Sequence, residues 1–422
     1  MWLPRREHFN LWISTAQYKG YFANDNHLVI NIDLSNTLYH LIAEPNTTIN
    51  AMNDILPYMI DALMTMFRAI AHYKNLCKNF GIEPIFVLFA DIGESQYHLE
   101  LYPDYKVHRH VRPDYIIEHV PSLKKVYDVY GYNRNISNDM NNSNRDLAVC
   151  GRLVARRYIL DAIRNILIFI KNVKVIILDN IETDFIPFYI DRYEMPDCGL
   201  YMTNSADNDM IQNITRNHCI IHKRYNIVTY KNIDRFIASH ITKDDVVRPS
   251  IFYAYTLYKA IVGDNTDHVP GVKGYGPKRA LPVIEEYISH IKRHNIDMYN
   301  KDKSSEDILS DYMDILKDNS KLELAFKKHG KDKVLSDIVL CLRLVDFDII
   351  SRTLRTLSKF KHIIDKIHDC ISTNNATQYN DFISLLHDMF DVAKQQMPTI
   401  ETPVDIINHD DYWKNTLKDA LQ

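Results

Sequence analysis

The chain has 422 residues, 46% of them hydrophobic, and a formal net charge of −4; that apolar content can bury a sizeable core and excludes global disorder. The charge gives no support to a uniformly basic nucleic-acid protein, so a nucleic-acid partner would need segregated charge, with acids at one site and bases along another track. The six cysteines (Cys77, Cys150, Cys198, Cys219, Cys341 and Cys370) form no C-x-x-C pair, which argues against a structural zinc site or a disulfide framework and fits a reducing, cytoplasmic setting.

Residues 1–26 are polar and aromatic without clear period and read as an N-terminal extension; no long apolar run follows Arg5 and Arg6, so no secretory signal is expected. His27–Asp33 reads as a buried strand ending in an acid. A helical pattern covers 48–79, and Pro84–Ala90 reads as a second strand followed at once by Asp91. Residues 94–130 are polar, basic and tyrosine-rich, and 133–145 form a low-complexity loop expected to be mobile. Leu147 to about Lys171 reads as a helix, Lys174–Asp179 as a third strand, Cys198–Thr203 as a fourth, with shorter strands at 219–222 and 226–229. This alternation predicts an α/β fold with a mostly parallel central sheet and helices on both faces. The most apolar stretch, Tyr158–Leu178, is interrupted by Asp161, Arg164, Lys171 and Lys174 and makes a poor membrane span. After residue 250 the chain reads as helical to its end. Boundaries near 240 and 295 divide it into a core (27–240), a short module (241–295) and a helical C-terminal region (296–422).

Asp33, Asp91, Glu182, Asp184, Asp207 and Asp209 share one position type, each at or just beyond the C-terminal end of a predicted strand. In an open parallel sheet those ends lie along the edge where ligands bind. Acids in such places also cap helices, and for any one of them that reading is as good. As an ordered set they would repel one another unless cations neutralise them. Carboxylate-only ligation favours Mg2+ or Mn2+ over zinc, and two ions about 4 Å apart can hold a phosphate and activate a water.

Four of the eleven glycines, Gly263, Gly271, Gly274 and Gly276, fall within residues 261–281. Tyr253–Val262 before them is helix-like, and Pro277 suits the first turn of a helix that follows. The backbone of Gly274–Lys278 and that helix N-terminus would favour an anion, with Lys273, Lys278 and Arg279 adding positive charge for a sequence-independent grip on phosphates. An ordinary αα-hairpin turn is the alternative.

The whole string Ile261–Leu281 resembles the helix–hairpin–helix of the flap endonuclease / 5′→3′ exonuclease family, of phage and DNA polymerase I type, which runs G-D-x-x-D-N-I-P-G-V-x-G-I-G-P-K-x-A. Other elements follow in the family's order. Asn31-Ile-Asp33-Leu-Ser35-Asn36 resembles the first metal-binding strand. Phe89-Ala90-Asp91 with Leu101–Arg109 resembles the second acid and an L-Y-P-E-Y-K-x-x-R segment. Glu182-Thr183-Asp184 resembles E-A-D-D, and Ser205-Ala206-Asp207-Asn208-Asp209-Met210-Ile211-Gln212 resembles S-x-D-K-D-x-x-Q. Asp264 and Asp267 match the hairpin's two acids. The late stretch Leu342–Asp348 is similar to a segment of phage members. The resemblance spans roughly 28–285. Phe185 stands where the family has a fourth acid, His268 where it has asparagine, and the loop 133–145 and the long C-terminal part are atypical.

The resemblance implies a PIN/FEN-like fold and a structure-selective 5′ nuclease. It would hydrolyse DNA or RNA-primer phosphodiesters near 5′ ends by a two-metal-ion mechanism in replication or repair, leaving a 5′-phosphate and a 3′-hydroxyl. Implied with it are two Mg2+ ions (Mn2+ may substitute) on Asp33, Asp91, Glu182, Asp184, Asp207, Asp209, Asp264 and Asp267, and a K+ at the hairpin. Lys106 and Arg109 would act on the scissile phosphate beneath an arch at about 94–160. Tyr105 would stack on a terminal base, and Arg152, Arg156, Gly271, Lys273, Gly274, Gly276, Lys278 and Arg279 would bind DNA. Arg157 and Arg164 read equally well as ion-pair partners of Asp161. The implied setting is a phage-type monomer acting on a 5′ flap, a 5′ end or an RNA/DNA hybrid in the host cytoplasm, with a replication protein as partner. Two alternatives remain: a DNA-junction binder with impaired catalysis, which Phe185 would explain, and a related nuclease acting on RNA.

Overall fold

The computed structural model describes residues 3–20, 27–42, 52–106, 144–222, 226–239, 251–298, 300–396, 399 and 401–422. The Asn-rich loop 133–145, apart from the helical backbone at its last two residues, lies outside them, as do His108, Arg109, His110 and Arg112. For Arg145 and Arg152 the helical backbone is described and the side chains are not.

Strands β1 (His27–Asp33), β2 (Glu83–Ile92), β3 (Val173–Asp179), β4 (Leu200–Asn204), β5 (His218–His222) and β6 (Asn226–Val228) pair in the order β3-β2-β1-β4-β5-β6. All pairings are parallel except β5 with β6, which is antiparallel at the edge. The predicted mostly parallel sheet is therefore present. Six of the seven β1 residues are buried, as expected of a central strand covered on both faces. After β1 the chain builds outward through β2 and β3, then returns to the other flank of β1 as β4. This reversal opens a crevice at the carboxyl ends of β1 and β4, where ligands of open α/β sheets bind.

The helices are α1 (Arg6–Tyr18), α2 (Leu34–Ile42), α3 (Met52–Lys78), α4 (Gln96–Leu101), α5 (Asn144–Leu167), α6 (Ile186–Tyr189), α7 (Ile233–Ile237), α8 (Tyr255–Val262), α9 (Pro277–His294), α10 (Ser305–Leu316), α11 (Glu323–His329), α12 (Lys331–Val345), α13 (Phe347–Thr356), α14 (Lys361–Ser372), α15 (Tyr379–Gln396), α16 (Pro403–His409) and α17 (Asp411–Leu421). Alternate strand residues feed two cores. Leu28, Ile30, Ile32, Phe86 and Leu88 face α1, α3 and α5, joined by Phe382, Leu386, Phe390, Ile407 and Leu417 from α15–α17. Val29, Val87, Phe89, Ile176 and Leu178 face the opposite layer, where one apolar cluster continues through α8, α9, α10, α12 and α13 to Ile367 of α14.

Two expectations change. Residues 1–26 are not merely an extension: Phe9, Ile13 and Ala16 recur at helical spacing and are buried in the core beneath α3. The soft boundaries near 240 and 295 do not separate cores, because residues 251–367 share one cluster with the sheet. Among the described residues no helix is long and apolar enough to cross a membrane.

Candidate active site

The acids arrive at the sheet edge by local rules. Asp33 closes β1 and is 3% exposed, its Oδ1 accepting from the Asn36 backbone N–H at 2.8 Å and its Oδ2 from the Ser205 hydroxyl at 2.7 Å. Asp91 ends β2 and accepts from the Ser35 hydroxyl at 2.8 Å. Glu182 and Asp184 follow β3. Asp207, just past β4, caps a short 3-10 helix (Asn208–Asn213) by accepting from the Asp209 N–H at 2.8 Å. Capping and site-building thus coexist in one residue.

Burial and mutual repulsion dominate the electrostatics of three of these acids. Desolvation, then the charge of Asp91, raises Asp33 to about 6; desolvation, then Asp209, raises Asp207 to about 7. Asp184 is raised well above its ordinary value by desolvation, then by Asp207, Glu182 and Asp33. Asp33, buried, and Asp184 and Asp207, half-buried, push one another toward protonation and so form a set suited to cations.

Two lysines already stand among the others. Lys106 Nζ lies 2.6 Å from Glu182 and 3.6 Å from Asp267. Burial opposes both charges of the first pair, yet attraction prevails: Glu182 is lowered to about 2, mainly by Lys106, and Lys106 is held above its ordinary value by Glu182, Asp267 and Asp184. Lys106 also adopts φ +50°, uncommon for a side-chain-bearing residue. Lys259, on α8, lies 2.5 Å from Asp209 and 3.0 Å from Asp264. Burial works against its charge, but Asp209 and Asp264 keep it raised well above the ordinary value.

Asp264 and Asp267 come from the loop after α8. There Asp264 and Val269 exchange both backbone hydrogen bonds at 2.9 Å. Gly263 (φ +81°) and Gly271 (φ +64°) meet behind that bridge: a Cβ on Gly271 would sit 2.6 Å from the Gly263 nitrogen. Asp209, Asp264 and Asp267 each offer an oxygen within 4.8 Å of the others. This oxygen-only donor set, with ammonium groups already seated among the carboxylates, fits a hard divalent cation such as Mg2+ or Mn2+. Among the described residues no second trio of the eight acids lies so close.

The substrate-facing expectations are redistributed. Lys273, Gly274, Gly276, Lys278 and Arg279 are exposed at the start of α9, with Arg279 donating to the Gly274 carbonyl at 2.9 Å. Gly271 is buried and shapes the acid loop, so it offers no open backbone to a phosphate. Tyr105 is no base-stacking platform here: it is 5% exposed, lies stacked on His98 at 4.5 Å and donates its hydroxyl to Glu182 at 2.9 Å. Arg156 turns inward to the half-buried Asp91, pairing with its carboxylate (3.1 Å) and its carbonyl (2.8 Å), and to the Ser35 hydroxyl. Arg164 pairs with Asp161 at 3.9 Å, whereas Arg157 reaches Asp179 at 3.3 Å. Phe185 is 2% exposed and packs edge-on against Tyr189, a core side chain rather than a ligand. Arg109 lies outside the described residues.

No family model matches the chain. It is 24% identical over 234 residues to DNA polymerase I of Lactococcus lactis subsp. lactis, covering 54% of this chain and 21% of that protein. It is 31% identical over 83 residues to the 5′-3′ exonuclease of Aquifex aeolicus, covering 20% of this chain and 25% of that protein. The chain therefore spans about a fifth of the length of the polymerase relatives it matches. Among solved structures, the T5 5′-exonuclease with bound divalent zinc ions aligns at a TM-score of 0.51 and 15% identity, over 82% of this chain and 98% of that one, which establishes a shared fold. The chain is thus similar over part of its length to DNA polymerase I and a 5′-3′ exonuclease, and it shares the fold of a 5′-exonuclease. The likeness to these proteins does not single out Lys259. Its only signal in the sequence was a lysine in the apolar helix α8 just before Gly263-Asp264, where a buried charge needs a partner. Ser35 and Ser205, second partners of Asp91 and Asp33, were visible only as neighbours of acids.

Proposed function

We propose that the chain is a divalent-metal-dependent 5′ nuclease that hydrolyses DNA phosphodiesters near 5′ ends and flaps. The observation that carries this reading is the meeting of acids from five chain segments with Lys106 and Lys259 at one sheet edge, beside the exposed hairpin of Lys273–Arg279. Divalent ions bound there would polarise a water and neutralise phosphate charge. Asp209, Asp264 and Asp267, with Asp33, Asp184 and Asp207, are the residues to hold them. Lys106 and Lys259, released from their carboxylates, would offer ammonium groups to the phosphate as negative charge builds on it. The hairpin's exposed backbone and its lysines and arginine would hold duplex phosphates without reading sequence.

The test is cleavage of an end-labelled 5′-flap duplex by the full chain with Mg2+ or Mn2+, set beside a matching RNA flap. Cutting of the DNA flap near the junction is expected, and none in EDTA. Tight binding to the flap with no cutting at any metal concentration would replace this reading with a junction-binding protein. Preferential cutting of the RNA flap would move the substrate class.

A further inference from the structure

The stretch Leu342–Asp348 joins α12 to α13 through the single residue Asp346, and the site described above leaves it without a task. A helix end leaves four carbonyls without intrahelical partners, and buried ones must find donors. At the end of α12 all four are satisfied. Leu342 accepts from the Asp346 N–H at 2.9 Å. Arg343 accepts from the Tyr97 hydroxyl at 3.0 Å, and Leu344 pairs with His98 Nε2 at 3.1 Å. Val345 accepts from Gln212 Nε2 at 2.9 Å, while Gln212 Oε1 accepts from the Phe347 N–H at 3.1 Å, so this amide grips both sides of the turn.

Those donors lead straight to acids. Gln212 sits three residues after Asp209 in the same 3-10 helix, a spacing that places both side chains along one face. His98 accepts or donates at Nδ1 with Ser95 at 2.7 Å and stacks on Tyr105, whose hydroxyl holds Glu182. The turn itself is stiff: Asp346 accepts from the N–H groups of Asp348 and Ile349 at 2.9 and 3.2 Å. Asp348 pairs with Arg352 at 2.7 Å, both nearly fully buried. Leu344, Val345, Phe347 and Ile350 line one wall of a pocket whose other wall carries Glu182, Asp184, Asp209 and Asp267.

We infer that the C-terminal end of α12 is the anchor on which the metal-binding acids are set, with Gln212 and His98 as positioning residues for Asp209 and Glu182. The inference rests on the nuclease reading and goes beyond it. It makes part of the helical region after residue 296 a component of the active site. Partners that orient metal ligands typically change metal affinity by about 10–100-fold when removed.

The experiment uses the full chain. Gln212→Met keeps the side chain's length and removes both hydrogen bonds. Mn2+ binding is followed by electron paramagnetic resonance, Mg2+ dependence by flap cleavage, and DNA affinity in EDTA. Expected for Gln212→Met are a Mn2+ dissociation constant and a half-saturating Mg2+ concentration each raised by about tenfold or more, unchanged DNA affinity in EDTA, and cleavage that recovers at high metal. Gln212→Glu, which keeps the acceptor for Phe347 and loses the donor to Val345, guards against a variant that fails to fold and should weaken Mn2+ binding as well. His98→Gln, which retains a donor, should hold metal better than His98→Ala. Lowered melting temperatures with wild-type metal affinity would overturn the inference and leave the nuclease reading intact. A wild-type chain that neither binds Mn2+ nor cuts would remove both.

Discussion

The acid cluster has two halves that the fold treats in opposite ways. Glu182, Asp209 and Asp264 are held in close pairs with Lys106 and Lys259, and Glu182 and Asp264 are depressed below their ordinary values. Among the described residues Asp33, Asp184 and Asp207 make no close ion pair with a lysine; Lys106 and Lys259 ease Asp184 and Asp207 only from further off, and all three acids are raised. The difference teaches that this edge is built for more positive charge than the chain supplies. Two internal ammonium groups settle one half, and the other half stays repulsive until protons or external cations arrive.

Opposite treatment predicts opposite mutational behaviour, and this is the largest expected effect. Asp207→Asn should reduce flap cleavage by a thousandfold or more, roughly the scale of losing a group that acts only with the whole constellation. The same change should raise the melting temperature of the metal-free chain at pH 8, because it deletes a half-buried charge that Asp209 and Asp33 repel more than Lys259 offsets. Glu182→Gln should also impair cleavage but lower that melting temperature, since it removes the nearest carboxylate of Lys106 and leaves Asp267 at 3.6 Å as its remaining close partner; the loss should lie below the roughly 3–5 kcal/mol of a fully buried broken pair. Matching stability changes in the two variants would break the comparison.

Acidity gives the next test. Asp33 and Asp207 are raised from 3.8 to about 6 and about 7. The folded chain therefore binds more protons than the unfolded one between pH 4 and 7, so their contribution to stability falls as pH rises through that window. Glu182, lowered from 4.5 to about 2, contributes stability that is present above pH 4.5 and lost only as pH falls toward 2. Thermal melts in EDTA should show a decline from pH 5 to 8, and the stabilisation by added Mg2+ should grow over the same range as protons cease to compete. A flat metal effect across that range would contradict the raised values.

Lys259→Met sharpens the contrast from the other side. It leaves Asp209 and Asp264 without their ammonium, so the metal-free chain should lose a few kcal/mol, on the scale of a broken buried pair. Saturating Mg2+ should recover most of that loss in a melting experiment. Away from the cluster, Lys278→Ala combined with Arg279→Ala should leave metal affinity alone. It should flatten the salt dependence of duplex binding by a slope of about 1–2, at roughly 0.9 for each phosphate no longer neutralised.

Much of this was legible in the residues. The apolar runs of β1, β2 and β3 ended in acids, and strand ends share an edge in any parallel sheet, so Asp33, Asp91, Glu182, Asp184 and Asp207 could be placed from the sequence pattern. The glycine string placed Asp264 and Asp267. What escaped has physical reasons. Arg156 and Tyr105 carry the chemistry of DNA contacts, and nothing in their local pattern says that Asp91 and Glu182 hold them inward. Lys259 hides in an apolar helix, where a single lysine gives no periodicity. The roles of Gln212 and His98 depend on a helix end more than 130 residues further along the chain, and no local window reports such a contact. The helix α1 was missed because its three buried positions are spread among polar neighbours.

The smallest prediction probes how far the repulsive half extends into the sheet. Asn31 lies two residues before Asp33 on β1, hence on the same face, and is fully buried with neither amide atom hydrogen-bonded. Burying a polar group without partners costs about 1–3 kcal/mol. Asn31→Leu, close in shape and apolar like its neighbours Val29 and Val87, should therefore stabilise the metal-free chain by about 1 kcal/mol, read as a rise in melting temperature. If stability is the only thing this amide costs, Mn2+ affinity and cleavage will not change. A rise in melting temperature together with weaker Mn2+ binding would instead mean that the amide supports Asp33 from beneath, enlarging the repulsive half by one strand residue. A fall in melting temperature would mean that the amide is satisfied, and that polar burial in this half ends at the carboxylates themselves.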